Sequence, residues 1–355
     1  MVLTILSIFF LISLPLRASE IYPFFRSVRQ EAMGGASVAV VNDETAIFLN
    51  PAGLGKIRSS VIALVNPELE TNYDTNAALA TGLNYAAVLN PQALLAVAQS
   101  NPGKHLHARV QVLPALVTTN FELAAYANYT MNAEYTSSTS LMHLDYQNDY
   151  GAAMAYCFRL FDGRLKIGAS GKLINRVYIN TDILSSSTNA SIGNLASEGD
   201  GVGWDGGVLL TLPWMFLPTI GAVAHDIGNT TFKLSNGYFY KPGTYPPPQF
   251  QSVDVAFAIY PIQGNHTRSS ITVEWHDAQN PETADPYRRL HVGAEMDFGD
   301  IFYLRGGMNQ RYYTAGIEFD LMRQQIQLST YGEEIGTPTV PREDRRFTVM
   351  YGFRF

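Results

Sequence analysis

The final segment of the chain, residues 345–355, alternates between two kinds of side chain. Every second position is aromatic or aliphatic, namely Phe347, Val349, Tyr351, Phe353 and Phe355. The positions between them include Arg346, Thr348, Gly352 and Arg354. Successive side chains of a β-strand point to opposite faces, so this segment predicts a strand between an apolar and a polar medium. The wall of a transmembrane β-barrel needs such a strand, because its outer side meets lipid and its inner side a polar lumen.

The rest of the composition supports an all-β membrane protein. Apolar residues make up 46% of the chain, yet after the N-terminal segment no apolar run is long enough for a membrane-spanning helix. Alternation spreads the hydrophobicity evenly, as is typical of barrel strands. The net charge of -7 argues against a nucleic-acid partner. A single cysteine, Cys157, excludes an internal disulfide and a thiolate-rich metal site.

The N-terminal residues predict export from the cytoplasm. Residues 1–15 are almost wholly apolar, and Leu16-Arg17-Ala18 follows as a small-residue cleavage site. We therefore expect residues 1–18 to be a signal peptide, although no Lys or Arg precedes the apolar run. The alternative, a retained anchor helix, is less favoured because the run falls short of the roughly 20 residues that a spanning helix needs.

Alternating segments between residues 105 and 355 predict about fourteen antiparallel strands, two of them at 134–146 and 149–161. Tight connections are expected at Asp162-Gly163, Gly299-Asp300 and 321–323. The long connections are rich in Gly, Pro, Asn and Ser and lie at 179–202, 228–250, 277–287 and 333–344. Outer-membrane barrels have short periplasmic turns and long extracellular loops. The pattern therefore predicts a barrel with a periplasmic C-terminus.

Charged side chains on the polar faces of three neighbouring strands predict a lumen network. Alternation places Glu295, Arg305 and Glu318 on the inner side of the barrel, with Glu274 and His276 of the preceding strand facing the same way. Strand register allows Arg305 to pair with Glu295 or Glu318. The expected role is structural, through cancellation of charge inside a narrow barrel.

The segment between the signal peptide and the strands, residues 19–104, predicts a plug. Its first distinctive motif contains Gly34-Gly35, which permits a close backbone turn. Asp43 is placed to cap a short helical turn that runs through Phe48. That turn ends at Asn50-Pro51-Ala52, because a residue before proline is pushed out of the helical region.

These motifs resemble the N-terminal hatch of the FadL-type long-chain fatty-acid transporter family, in which an Asn-Pro-Ala motif corresponds here to Asn50, Pro51 and Ala52. The pairing of Met-Gly-Gly-Ala with Asn-Pro-Ala-Gly-Leu looks similar to the PorV-like branch. The resemblance implies a bacterial outer-membrane barrel of fourteen strands with the N-terminal segment folded into the lumen. It also implies either uptake of hydrophobic molecules or support of protein secretion.

Residues 75–101 predict two short helices that extend the plug or pack at the mouth of the barrel. Asn90 is a natural N-cap with Pro91 at the first helical position, and Asn101-Pro102-Gly103 ends the helix. An alternative assigns residues 59–66 as the first barrel strand. That arrangement keeps an even strand count only if two of the proposed strands merge into one.

The sequence offers no enzyme motif and predicts neither a cofactor nor a metal site. Nucleophile elbows, zinc-protease helices and phosphate loops are absent from it. His105 and His107 share one strand face, but two imidazoles without a third ligand make a poor metal site, so exposed rim histidines are expected. After removal of the signal peptide, roughly 85 residues precede the predicted barrel, which disfavours an open diffusion pore.

Two functions remain open at this stage. The first is hatch-gated transport of a hydrophobic ligand such as a long-chain fatty acid, and the second is a structural or secretion-accessory barrel with a protein partner at its extracellular loops. Transport predicts an apolar cleft. Its candidate residues lie in the long loop before Pro246: Phe232, Leu234, Tyr238, Phe239, Tyr240 and Tyr245. The alternative is that these side chains only pack the loop or form an interfacial girdle.

Overall fold

Sixteen strand segments pair into one antiparallel sheet that closes on itself as a barrel. The computed structural model describes residues 23–80, 90–235, 237–240, 245–264, 266–279, 285–337 and 340–355. The predicted signal peptide, residues 1–18, lies outside the described residues. None of the described helices has the length and apolar character needed to cross a membrane.

The elements follow in chain order. The strand segments are β1 (Val61–Val65), β2 (Glu68–Asn72), β3 (His105–Val112), β4 (Ala115–Thr118), β5 (Phe121–Thr136), β6 (Leu141–Leu160), β7 (Leu165–Leu184), β8 (Ser197–Thr211), β9 (Thr219–His225), β10 (Ser252–Ile259), β11 (Thr267–Trp275), β12 (Leu290–Phe298), β13 (Phe302–Asn309), β14 (Tyr312–Leu321), β15 (Gln324–Glu334) and β16 (Glu343–Arg354). The helices are α1 (Val28–Ala32), α2 (Ala46–Leu49), α3 (Tyr73–Ala80), α4 (Pro91–Ser100) and α5 (Ile192–Leu195), with 3-10 turns at Pro51–Lys56 and Pro286–Arg289.

The sixteen segments form fourteen wall strands, as the alternation pattern predicts. Segments β1 and β2 make the first wall strand, and β3 and β4 make the second. Each is interrupted next to a proline, Pro67 or Pro114, which has no N–H for the ladder. The side chain of Asn66 bridges the two interruptions: its amide nitrogen donates to Leu113 O at 2.9 Å, and its oxygen accepts from Leu113 N at 2.7 Å.

The predicted start of the barrel at residue 105 is wrong. The wall begins at Val61, and the two strands proposed at 134–146 and 149–161 are largely one long strand, β6. The arrangement is therefore the alternative with a first strand near residues 59–66. Pro67 divides the first wall strand into two segments of five residues each, which is why the alternation pattern misses that strand.

The terminal strand closes the barrel and has the predicted two faces. Segment β16 pairs with β15 on one side and with β1 and β2 on the other. Phe347 and Val349 are 40% and 48% exposed on the outer face, whereas Arg346 and Thr348 are each 1% exposed on the lumen side. The strand thus joins an apolar outer surface to a polar interior.

The connections are sorted between the two ends of the barrel. The end that carries Phe355, here called the turn end, has short connections such as Asp162-Gly163, where positive φ angles of 57° and 78° form the turn. The opposite end, here called the loop end, carries every long connection, including residues 226–251 and 276–289. Antiparallel pairing fixes this sorting once the strands are placed.

Helices α3 and α4 belong to the first long connection, and neither extends the plug. Strands β6 and β7 each have 20 residues, about twice what a membrane-spanning strand needs. On the outer face of this region, Met131, Leu144 and Ile179 are buried together with Leu94, Leu95 and Ala98 of α4. Helix α4, capped by the side chain of Asn90 as the sequence predicts, therefore covers an apolar patch near the loop end.

The lumen is filled by residues 23–57, here called the hatch. It contains α1, α2 and the 3-10 turn at Pro51–Lys56. Ring pairs among Phe24, Phe25, Phe48 and the wall residue Tyr126 have centroids 5.1 to 5.3 Å apart. This aromatic cluster fixes the N-terminal part of the hatch against the inner wall.

We expect Asn66→Ala to weaken the wall at its interrupted strands. The substitution leaves the buried N–H and C=O groups of Leu113 without partners, which costs roughly 1–3 kcal/mol. The measurement is the urea midpoint of unfolding of the purified protein, followed by its heat-modifiable migration on a gel. Asn76→Ala is the control, because Asn76 is exposed and its side chain accepts a hydrogen bond from Thr71 on the surface. Equal midpoints for the two variants would show that the bridge is dispensable.

Candidate functional site

The first hatch motif lies against a pair of glycines in the wall. Gly34 and Gly35 have φ angles of +68° and +85°, a conformation that favours glycine. Across the strands, Gly293 pairs with Gly307 beneath them. A Cβ atom at Gly293 would lie 2.3 Å from Met33 O. Only glycine at this wall position therefore lets the hatch backbone approach so closely.

The second hatch motif also lies against a glycine pair, on the other side of the lumen. Gly168 pairs with Gly207 across β7 and β8. A Cβ at Gly168 would lie 2.3 Å from the backbone of Pro51 and Ala52. The Asn50-Pro51-Ala52 motif thus rests on this second cross-strand glycine pair.

Asn50 joins the two parts of the hatch. Its side-chain oxygen accepts a hydrogen bond from Ala52 N at 3.0 Å and caps the 3-10 turn. Its amide nitrogen donates to Val38 O at 2.9 Å. The residue is completely buried. Asn50 therefore fixes the second motif relative to the segment that follows the first.

The predicted lumen network is present and includes the hatch. Arg305 donates to Glu295 at 2.7 Å and also contacts Glu318. Arg29 of the hatch donates to the same Glu295 at 2.8 Å and to Asp43 at 2.9 Å. Although burial acts in the opposite direction, Arg29 holds the pKa of Asp43 below its usual value. The network therefore neutralises charge and also ties α1 to the wall, a role that the sequence did not indicate.

A second charge cluster holds the other side of α1. Glu31 contacts Arg109, and Thr348 donates to it at 2.7 Å. Burial, followed by the nearby carboxylate of Glu70, raises the pKa of Glu31 to about 8. Glu70 in turn lies 2.8 Å from His107, whose ring is only 1% exposed. The expectation of exposed rim histidines is therefore wrong for His107, because the first wall strand begins earlier than predicted and covers it.

A cavity of about 240 Å³ lies between the hatch and the loop end. Its apolar side is formed by hatch residues of the aromatic cluster and their neighbours, Phe24, Phe25, Phe48 and Leu49. Its polar side belongs to the wall and includes Glu274, His276 and Arg289. Arg289 is 5% exposed, and its Nε and one terminal nitrogen have no hydrogen-bond partner among the described residues.

Glu274 connects the wall of this cavity to the hatch. Its Oε2 accepts hydrogen bonds from Ser37 N and Val38 N, both at 2.8 Å. Burial disfavours the charged form of the neighbouring His276, but the facing carboxylates of Asp254 and Glu274 raise its pKa to about 9. On the next strand, His291 Nδ1 lies 2.8 Å from Gly34 O. This part of the wall therefore touches both the cavity and the first hatch motif.

The structure does not bring the six predicted cleft residues together. Phe232 is buried in the lumen, with its ring 4.4 Å from the guanidinium of Arg176. The other five lie further along the loop: Leu234, Tyr238 and Phe239 are over 70% exposed, Tyr245 is 43% exposed, and Tyr240 packs against the cluster around α4.

The cause of this dispersal is the buried carboxylate of Glu198. It accepts hydrogen bonds from the backbone amides of Tyr238, Phe239 and Tyr240 and turns their side chains away from the lumen. The aromatic side chains that line the cavity are Phe24, Phe25 and Phe48 of the hatch, together with Phe250 and Tyr331. The sequence signal for this lining was the adjacent pair Phe24-Phe25 soon after the predicted signal peptide.

Several proteins of known structure have a similar architecture. No protein-family model and no curated protein matches the chain. Among solved structures, the toluene transporter TbuX of Ralstonia pickettii is similar, with a TM-score of 0.55, 13% identity, and 93% of this chain and 98% of that chain covered. The P. putida toluene transporter TodX gives a TM-score of 0.54, 12% identity, and 93% and 98% coverage. The monoaromatic hydrocarbon channel CymD gives a TM-score of 0.53 and 12% identity, with 92% of this chain and 97% of that chain covered.

The chain has the fold of these transporters. The FadL-type fold expected from the hatch motif is thereby confirmed. Assignment to the PorV-like branch stays a prediction. At these identities the likeness concerns the fold, so the cargo has to be argued from the residues of this chain.

We expect Gly168→Ala to loosen the hatch. The added methyl group would meet the backbone of Pro51 and Ala52 at 2.3 Å, and overpacking of this kind costs about 1–3 kcal/mol. Hydrogen–deuterium exchange should therefore speed up roughly tenfold or more for amides of residues 46–57. Gly306→Ala is the matched control, since its nearest atom would be Thr314 O at 3.6 Å. Equal exchange in both variants would contradict the docking role of the glycine pair.

Proposed function

We propose that the protein is a bacterial outer-membrane barrel that binds hydrophobic molecules in its lumen and passes them across the membrane when the hatch shifts. The observation that carries the proposal is the cavity of about 240 Å³, with its aromatic hatch surface on one side and a polar wall on the other. Ligand pockets commonly combine an apolar lining with a few placed polar groups. The apolar outer face of the wall strands supports the location, with lipid as the surrounding partner.

The hatch is built to move without unfolding the barrel. Polar contacts to side chains of the wall hold it at several points, among them Arg29 with Glu295 and Glu31 with Arg109. Such charges can exchange one partner for water or for a ligand group when the hatch shifts, so that none is left buried and unpaired, whereas the strand ladder stays intact. A ligand that binds the shifted state more tightly than the closed state would populate it.

The cavity favours an amphipathic ligand with a carboxylate group, such as a long-chain fatty acid. Arg289 presents two buried nitrogens without hydrogen-bond partners among the described residues. A guanidinium pairs well with a carboxylate, and the hatch rings Phe25 and Phe48 border the same cavity for an apolar tail. Transport of monoaromatic hydrocarbons would use the rings alone.

A second candidate function is the secretion-accessory or structural barrel that binds a protein partner. One observation favours it: the loop of residues 226–251 exposes Leu234, Tyr238 and Phe239 at the loop end, with Phe250 close by in sequence. Exposed apolar clusters of this kind mark interaction surfaces. The binding experiment below separates the two functions.

We expect the purified protein to bind a labelled long-chain fatty acid saturably and to pass it across a reconstituted membrane. Arg289→Gln should weaken fatty-acid binding about tenfold or more, because a charge-assisted hydrogen bond is worth roughly 1.5–3 kcal/mol. The same variant should leave toluene binding unchanged. Arg268→Gln is the control, since that side chain is 71% exposed at the turn end.

The outcomes separate the hypotheses. Absence of saturable binding of either ligand rejects transport and leaves the partner-binding function. Equal fatty-acid affinity in Arg289→Gln and the wild type rejects the carboxylate role alone. A hatch variant, Asn50→Ala with Pro51→Ala, should change the rate of passage, because it removes the cap and the link to Val38.

A further inference from the structure

Three of the seven histidines of the chain gather at one place on the inner wall near the loop end. His225, His276 and His291 lie at the ends of β9, β11 and β12. Asp254 of β10 and Glu274 of β11 lie among them. The rings of His276 and His291 are 3.9 Å apart, and His225 Nε2 lies 3.7 Å from Asp254 Oδ2. Neighbouring strands therefore converge on a single group of imidazoles and carboxylates.

Three of these side chains offer ligand atoms to one point. The donor atoms of Asp254, Glu274 and His276 all lie within 4.8 Å of one another. Ligands about 2.0–2.2 Å from a common zinc ion lie roughly 3–3.5 Å apart. Small rotations of the side chains would therefore bring the three donor atoms to this spacing. All three residues border the cavity, which leaves a fourth position for water or another ligand.

The second observation concerns the buried carboxylate oxygen Oε1 of Glu274. The residue is 1% exposed, and within the described part of the chain no group donates a hydrogen bond of normal geometry to this oxygen. Its one close partner is His276 Nε2, which lies 2.7 Å away as an ion pair. A buried carboxylate needs a positively charged partner. A divalent cation bound by both atoms would replace the imidazole proton and neutralise the carboxylate.

We propose that Asp254, Glu274 and His276 bind one divalent transition-metal ion at the junction of the wall and the hatch. An imidazole with two carboxylates suits zinc and its first-row neighbours, whereas calcium and magnesium prefer sets made of oxygen alone. The two carboxylates balance the charge of the ion. His225 lies beside Asp254 and is placed to hold the carboxylate of Asp254 in orientation without binding the metal itself.

The proposed site would act on the hatch through Glu274. The Oε2 of this residue holds the backbone amides of Ser37 and Val38, while Oε1 faces the metal position. The carboxylate of Glu274 therefore contacts the hatch with one oxygen and would bind the metal with the other. A bound ion fixes the orientation of Glu274 and so stabilises the closed hatch. The metal therefore opposes displacement of the hatch.

The test is a titration of the purified full-length protein in detergent, after removal of metal with a chelator. We expect one Co²⁺ per chain, detected by its visible absorption bands, and displacement of Co²⁺ by Zn²⁺. His276→Gln and Asp254→Asn should each bind at least about tenfold more weakly. His143→Gln is the matched control, because that histidine pairs with Asp182 away from the cluster, and it should bind as the wild type does.

Heat-modifiable migration on a gel establishes that each variant forms a barrel. X-ray absorption of the zinc-loaded wild type supplies a readout that needs no variant, and it should report one imidazole nitrogen with oxygen ligands. Zinc should also slow hydrogen–deuterium exchange of residues 34–41 in the wild type but not in Asp254→Asn. Absence of Co²⁺ binding to the folded wild type, or equal affinity in all the variants, would overturn the proposal. None of these readouts uses a hydrophobic ligand, so the result does not depend on the transport function.

Discussion

The hatch backbone lies directly against the inner wall at two cross-strand glycine pairs, and the other features of the lumen depend on this close approach. At Gly293 and at Gly168, a single methyl group would overlap the hatch backbone. At Gly207, the partner of Gly168, it would overlap the side chain of Asn50. Because the main chain can approach so closely, a short segment fills the interior of a fourteen-strand barrel. The same approach brings Asn50 within reach of Val38, and Glu274 within reach of the amides of Ser37 and Val38.

Polar contacts then decide how firmly the hatch is held. Arg29 shares Glu295 with Arg305, and Glu31 shares Arg109 with Glu70. Buried charges are stable only when each has a partner, so removal of one residue leaves others uncompensated. This interdependence favours one closed arrangement of the hatch. A ligand or an ion of matching charge can join such an interior, which is the physical basis of the carboxylate binding proposed at Arg289 and of the metal site proposed at Glu274.

The sequence predicted the features that follow from local alternation and from residue chemistry. The two faces of the terminal strand, the fourteen-strand count and the cap of α4 at Asn90 are all borne out. Arg305 meets Glu295 and Glu318 because a strand pattern also fixes which side chains share a face. The start of the wall was misplaced because Pro67 splits the first wall strand into two short segments. The predicted aromatic cleft does not form, because Glu198 binds the loop backbone and turns the side chains of Tyr238 and Phe239 outward.

The sequence by itself therefore determined the class of fold, the distribution of side chains between lipid and lumen, and the identity of the hatch motifs. Each of these depends on residues close together along the chain or on a period of two. Only the tertiary structure decided which glycines pair beneath the hatch, that Arg29 joins the lumen network, and that Asp254, Glu274 and His276 meet at one point. These contacts join residues that are distant along the chain, and they exist only after closure of the barrel has fixed the strand register and the hatch has folded into the lumen.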